Sequence, residues 1–477
     1  MQQPAVSSYI TITAITIRGQ CRNLLTALVA MLVVTLVMGV TACAPIGTSR
    51  SPATARVATV LRIWYGTDDP TERAWSQDLA RRFAAEHPSV HVRLTDYSLD
   101  DLNTKMQLAL NAGTPPDLVY TTPRGPGLPA YVRADLLRDL TSVARAGGWA
   151  GRLRPGLLAE YNRLLATGTR TGRDALHTPV YAVPYDLAAV AVLYNKALFR
   201  KLGLQKPHTV AALERMIARV KSAGLVPLGL GNADGWLGDD WWSSLVNARV
   251  GPAALAPELR LDRSFSFCAP VFRWAAETLQ RWADAGDFTP NFGGLDAQDG
   301  IAAFFQGRTA MQLVSSTQNS QILAAVRQTG LEVGIFPFPS VMPGQPPVML
   351  MSGYEGWAIP KASRQPHVAA QFIDYALSPQ TARLLLAHGM LPAHRLEGAT
   401  MRPVAPFQRD YFSALAVAAP GVYLDGAPVP NLNATMEANI QLLLQDDETP
   451  DFLIRSLQLV YTSHGAQASS TRTDGEF

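Results

Sequence analysis

Cysteine is scarce: three residues in 477, Cys21, Cys43 and Cys268. Their spacing fits neither a disulfide framework nor a zinc site, and Cys268 reads as a small buried apolar residue. Charge is sparse as well, at 17% of residues and a net +3. Two of those charges are Arg18 and Arg22, in an N-terminal stretch without Asp or Glu, so the rest of the chain is near +1. That balance gives no general basis for binding nucleic acid or an anionic membrane. Also missing, where chemistry would need them, are Gly-x-Gly-x-x-Gly, a P-loop, His-Glu-x-x-His and Gly-x-Ser-x-Gly. The eight histidines are scattered, and no repeat of 20 to 50 residues is visible. Nothing calls for a cofactor, a metal or a catalytic residue.

What is present is an apolar content of 48% in a chain too long for one ordinary core, so two lobes are expected. Arg18 and Arg22 precede the apolar run Leu24 to Val40, which leads into Val40-Thr-Ala-Cys43. A basic flank, an apolar core and small residues before a cleavage point make a secretory signal over residues 1–42. Thr41-Ala42 before Cys43 resembles the bacterial lipobox, which implies cleavage before Cys43 and lipidation of its thiol. The competing reading is an uncleaved membrane anchor, since the run is marginally long enough to span. Residues 43–56, rich in Ser, Thr, Ala, Gly and Pro, read as a lipid-bearing flexible tether.

The stretch Tyr181-Ala-Val-Pro-Tyr-Asp186, followed by the Val-rich run Ala188 to Leu193, organises the chain. Pro184 forces an extended entry, and the apolar run has the length of a strand buried on both faces. Such a segment suits a crossing between lobes, with Tyr185 and Asp186 opening onto a cleft. Before it, Val57 to Trp64 reads as a strand. Asp69, Pro70 and Glu72 form a helix start, and Trp75, Leu79 and Phe83 mark one helical face. Val90, Val92 and Leu94 alternate as a second strand. Leu102, Met106 and Leu110 mark a second helix, and Thr114 to Thr121 enters a third strand from a Pro turn, with Asp117 as a turn residue. Strand alternating with helix predicts an α/β fold with a mainly parallel sheet flanked by helices in each lobe, the ligand lying beyond the carboxyl ends of the strands. Trp64, Asp68 and Thr121 sit at those ends. Beyond the crossing the pattern repeats. Gly231 to Trp242 reads as a Gly-rich loop carrying Trp236, Trp241 and Trp242, and Met351 to Pro360 as a glycine-broken second crossing.

These pieces resemble the extracellular solute-binding proteins of carbohydrate ABC importers, the family of maltose- and glycerol-phosphate-binding proteins. The matching segments, in order, are Phe83 to Val92, Ala112 to Leu118, Leu136 to Leu140, Val183-Pro184 with Leu193 to Lys196, Phe305 to Met311, Gly353 to Ile359 with Ala369 to Tyr375, and Gly389 to Pro392. The resemblance implies a two-lobed periplasmic-binding-protein fold with a ligand cleft between the lobes. It also implies a monomer anchored outside the membrane that hands a small-molecule carbohydrate or related solute to permease subunits. Crossings carried over lie near Leu187–Leu193, Ser352–Glu355 and Met390–His394. The expected division is 57–190 plus 354–392 for lobe 1 and 191–353 plus 393–463 for lobe 2, with a disordered tail over 464–477. Ser315-Ser316 departs from the family's frequent Gly-Ser-Trp.

A sugar site needs flat aromatic platforms and short polar groups. Trp64, Tyr185, Trp236, Trp241, Trp242, Tyr354 and Trp357 are the candidate platforms, each against the alternative of core packing. Asp68, Thr121, Asp186, Asp240, Ser316 and Glu355 are the candidate hydrogen-bonding groups, with a helix N-cap the competing role for Asp239-Asp240. Arg124 or Arg395 would serve a phosphate if the ligand were instead a glycerophosphodiester or phosphorylated polyol. A third alternative, a secreted carbohydrate-cleaving enzyme, would use Asp186 and Glu355.

Overall fold

The computed structural model describes residues 59–122, 128–165, 178–259, 265–395, 405–427, 429 and 431–470. The leader, Cys43 with its tether, Arg124 and residues 471–477 lie outside these. The expected strand–helix alternation is present. Strand β1 (Thr59–Gly66) leads into the helix Pro70–Glu86, β2 (Val90–Tyr97), the helix Leu99–Asn111 and β3 (Leu118–Thr121). Asp69 caps the first helix by accepting from the Thr71 N–H at 2.6 Å, and Trp75, Leu79 and Phe83 are fully buried on its inner face. Glu72 does not reach back to complete a capping box; it accepts from the Thr67 hydroxyl instead.

A five-stranded sheet has the order β2-β1-β3-β10-β4, where β4 is Ala182–Pro184 and β10 is Gly356–Ala358. A six-stranded sheet runs β11-β9-β5-β7-β6, with β8 also paired to β5. Its members are β5 (Leu187–Asn195), β6 (Val226–Gly229), β7 (Thr309–Ser315), β8 (Val333–Phe336), β9 (Val348–Gly353) and β11 (Ala419–Gly421). Both sheets are mainly parallel, as expected, and each is made mixed by one reversed strand. In the first, β10 runs antiparallel to β3 and β4; in the second, β5 runs antiparallel to β7, β8 and β9. The cause is that strands returning from a crossing enter the sheet against the direction of the βα units.

Strand β5 is buried on both faces, as its composition requires. Ala189, Ala191 and Leu193 face one core; Ala188, Val190, Val192 and Tyr194 face another. Asn195 then caps the helix Lys196–Leu202, accepting from the Leu198 N–H, and Gly203 at φ +67° ends it.

Several expectations need correction. Cys268 is exposed, not buried. Asp117 stands in the bend before β3 as expected, but it is fully buried and paired with Arg62, a role beyond the turn. The final helix, Pro450–Ser470, continues past His464 instead of giving way to a tail. The run Trp236 to Trp242 is not a loop: it opens the helix Trp236–Val250, with Gly235 at φ +83° before it. Asp239 and Asp240 therefore lie inside this helix rather than at its N-cap. No helix among the described residues is long and apolar enough to cross a membrane.

Candidate functional site

Three chain passes lie side by side between the two sheets. The first, Tyr185–Leu187, carries the chain from β4 into β5, two residues ahead of the expected start of the crossing; the Val-rich run is the strand itself. The second, Gly353–Glu355, joins β9 to β10. The third, Leu391–Ala393, lies against the first: Leu187 N–H donates to Leu391 O (2.8 Å) and Ala393 N–H to Tyr185 O (3.0 Å). Tyr185 N–H donates to Glu355 O at 2.9 Å, and Glu355 N–H donates to the Asp186 carboxylate at 2.6 Å, tying the first pass to the second.

The side chains of the passes divide by direction. Tyr185, Asp186 and Glu355 point inward and are buried. The Glu355 carboxylate accepts from the hydroxyls of Tyr120 (2.9 Å) and Tyr185 (2.5 Å), and Tyr185 lies 3.0 Å from the Tyr65 hydroxyl. Around them Trp75 stacks on Tyr185 with centroids 4.5 Å apart, and Tyr65 meets Tyr120 edge-on at 5.0 Å. Burial, then the charge of Glu72 and of Asp186, pushes the Glu355 carboxyl well above the ordinary range. Burial, followed by Glu72, does the same to Asp186. Glu72 is itself raised to about 7, mainly by burial. The three tyrosine hydroxyls are pushed up by burial and then by Glu355. The expectation that Tyr185 and Asp186 open onto a cleft is therefore corrected: a carboxylate pair among the five rings of Tyr65, Trp75, Tyr120, Tyr185 and the buried Trp357 is an internal brace.

Tyr354, the residue before Glu355, lines a cavity of about 470 Å³. Its walls come from both sheets. Thr121 and Thr122 follow the carboxyl end of β3, and Asn103 and Met106 come from the helix Leu99–Asn111 beside it. Opposite them stand Ser315 and Thr317 at the end of β7, with Trp236 and Asp240 from the start of the helix Trp236–Val250. Tyr423 and Asp425 from the loop after β11, and Asn433 and Glu437 one turn apart on the helix Leu432–Leu444, complete that wall. Gly235 makes the approach possible, because a Cβ there would stand 2.8 Å from the Glu437 Cβ. The cavity thus combines tyrosine and tryptophan faces with hydroxyls, an amide and the carboxylates Asp240, Asp425 and Glu437.

Of the residues singled out in the sequence, the structure brings Thr121, Trp236, Asp240 and Tyr354 together here. The others lie elsewhere. Trp64 is half-buried beside Tyr97, edge-on at 5.3 Å, and Asp68 is exposed, with the Leu99 N–H 3.5 Å away. Trp241 and Trp242 are fully buried in the core of the six-stranded sheet. Trp241 meets Trp282, Phe288 and Phe338 edge-on; Trp242 donates its ring N–H to Phe272 O at 3.2 Å. Residues adjacent on a helix point about 100° apart, so a run of tryptophans cannot all face one cavity. Ser316 is buried too, donating to Leu187 O (2.6 Å) and accepting from Ala189 N–H (2.9 Å), which fixes the start of β5. Arg395 is at the edge of a different and larger groove, about 1270 Å³, with Arg152, Trp149 and His394.

Tyr131, Tyr423, Asp425, Asn433 and Glu437 went unremarked in the sequence. The one local signal was Tyr423-Leu-Asp-Gly426, an aromatic and an acid entering a glycine turn. Among the described residues no three of His, Cys, Asp and Glu form a metal-binding cluster.

The chain matches the family model of the bacterial extracellular solute-binding proteins over residues 67–383. A multiple sugar-binding protein of Streptococcus mutans is 22% identical over 344 residues, 71% of this chain and 76% of its own. The sn-glycerol-3-phosphate-binding periplasmic protein UgpB of Pectobacterium atrosepticum is 24% identical over 359 residues, 72% of this chain and 74% of its own. Among solved structures, the apo form of RafE from Streptococcus pneumoniae superposes with a TM-score of 0.67 at 19% identity, covering 87% of this chain and 99% of that one. At that identity the superposition speaks for the fold alone. The two mixed sheets, the three passes between them and the family match lead to one statement: the chain belongs to the bacterial extracellular solute-binding proteins, which bind solutes and are not enzymes.

Proposed function

We propose that this protein captures a neutral carbohydrate, an oligosaccharide by preference, in the cavity between its two sheets and passes it to the permease of an ABC importer. The observation that carries the reading is the lining of that cavity. Trp236, Tyr354 and Tyr423 offer flat apolar faces of the kind that meet the C–H face of a sugar ring. Asp240, Asp425, Glu437, Asn433 and Thr121 offer acceptors and donors for its hydroxyls. A volume of about 470 Å³ falls within the ordinary range of small-molecule sites. The sugar-binding relative in Streptococcus mutans supports the same class.

A second reading, a phosphorylated polyol, has the support of the glycerol-3-phosphate-binding relative. The lining of the cavity counts against it, because among the described residues it holds no Arg or Lys to meet a phosphate. Arg395, one of the two cations that could have met a phosphate, lines the other groove.

Melting the protein with raffinose, stachyose, chito-oligosaccharides, glycerophosphocholine and glycerol 3-phosphate separates the readings, since a ligand of the folded state raises the melting temperature. A neutral oligosaccharide is expected to raise it, and glycerol 3-phosphate to leave it unchanged; the reverse pattern would replace the first reading by the second. The location proposed with this function is outside the cell membrane, held there by a lipid on Cys43. Cys43→Ala is expected to leave the precursor uncleaved at that site. An unchanged mature mass and membrane partition would refute the anchor.

A further inference from the structure

Asp186 and Glu355 stand on adjacent passes, fully enclosed, and their contacts are hydroxyls and backbone N–H groups. Glu355 accepts from Tyr120 and Tyr185; Asp186 accepts from the N–H of Glu355 itself. Two carboxylates buried on adjacent passes, one of them bonded to the other residue's backbone N–H, cannot both ionise at ordinary pH without a large desolvation and repulsion cost. Among the described residues, the groups facing them add no cation. They are Tyr65 on β1, Glu72 on the helix Pro70–Glu86, Tyr120 on β3, Tyr161 on the helix Leu157–Leu165 and Tyr185 on the first pass. On the third pass the nearest titratable side chain is His394. It bonds to Ala376 O, and burial lowers it to about 4, so it is neutral.

Both ends of this brace reach the cavity. Tyr120 lines it and is held by Glu355, and Tyr354 lines it from the neighbouring position on the second pass. We propose that Asp186 and Glu355 share one proton at neutral pH and that the singly charged pair is a positioning device for Tyr120 and Tyr354, so that solute binding is proton-linked. This rests on the reading of the cavity as the solute site. Loss of the shared proton puts two charges on passes whose backbones are bonded to each other. The repulsion is relieved by parting Glu355 from Asp186, which moves Tyr354 and loosens the hold on Tyr120. The sense is fixed by linkage: the folded state retains a proton that the unfolded chain gives up near pH ~4. The associated stability is full below that pH and is lost as pH rises through the folded value.

Infrared spectra of the full-length protein, compared in H₂O and D₂O at neutral pH, test the shared proton without any solute. A buried carboxylic-acid C=O band is expected in Glu72→Gln, where the third buried acid no longer contributes one, and is expected to vanish when the double substitution Asp186→Asn/Glu355→Gln is added to that variant. No band in Glu72→Gln, or a band surviving in the triple variant, would overturn the proposal. The melting temperature of the parent should fall from about pH 6 to about pH 9, and that of the double variant should fall by less. Over the same range, the affinity for whichever neutral oligosaccharide raises the melting temperature should drop about tenfold in the parent, a cost of about 1.4 kcal/mol. It should stay constant in the double variant. Equal pH profiles would refute the positioning role. If no solute shifts the melt, the cavity reading fails and the positioning role falls with it, while the infrared band still decides the proton.

Discussion

Gly353 and Gly356 bracket Tyr354 and Glu355, and neither adopts a positive φ. Both positions are small because their surroundings are close. A Cβ at Gly356 would lie 2.7 Å from the Tyr161 hydroxyl and 2.8 Å from Val183 O; at Gly353 it would lie 2.6 Å from the Tyr161 ring. The glycines thus serve close packing of the second pass on Tyr161 and β4. Because Gly356 pairs with both β3 and β4, its neighbours cannot yield without disturbing the sheet. Gly356→Ala is therefore expected to destabilise the fold by about 1–3 kcal/mol, the usual cost of overpacking. A urea midpoint matching the parent's would show that the passes have slack that the geometry denies them.

At the scale of elements, β1, β3 and the turn before the helix Pro366–Ala376 are joined by one carboxylate. Asp117 accepts from Arg62 through its backbone N–H (3.0 Å) and guanidinium (3.0 and 3.2 Å), and from Arg364 N–H (3.0 Å). Burial pushes its carboxyl up, but the Arg62 and Arg364 hydrogen bonds outweigh that and hold it below the usual range. Its contribution is present above the unfolded carboxylate value of about 3.9 and is lost as pH falls through the lower folded value. Asp117→Asn should cost about 1–3 kcal/mol at neutral pH, and the gap to the parent should close in acid. A gap that is the same at both pH values would assign the loss to shape rather than charge.

The legible elements were those with a solvent face. The helix Pro70–Glu86 shows its apolar spacing because the opposite side is wet, and β5 shows its run of Val and Ala because both faces are dry. The helix Trp236–Val250 has neither signature. Twelve consecutive residues, Leu237 to Ala248, are buried, Asp239, Asp240, Ser243, Ser244 and Asn247 among them, so polar and apolar positions alternate without a helical period. Its tryptophans consequently looked like a loop's. The cavity wall from Tyr423 to Glu437 was hidden for another reason: its residues meet Thr121 and Tyr354 only through the fold, and local spacing carries no trace of that.

For the whole molecule, the proposed function gives the three passes between the two sheets the part of hinges about which the cavity walls would approach or part. Solute held by Trp236, Asp240 and Glu437 on one side and by Thr121 on the other makes closure more favourable, since only the closed form offers both sets of contacts. Scattering is expected to show a smaller radius of gyration with a saturating oligosaccharide than without. An unchanged radius would mean that the passes act as struts.

The central claim, that the cavity between the sheets holds a carbohydrate, is tested most directly by calorimetric titration of the parent, Trp236→Ala and Tyr354→Ala with the oligosaccharide that raises the melting temperature most. Each loss of a stacking face, worth about 1.5–3 kcal/mol as a buried aromatic, should raise the dissociation constant tenfold or more while far-ultraviolet circular dichroism stays that of the parent. Parental affinity in both folded variants would contradict the account and move the site out of this cavity.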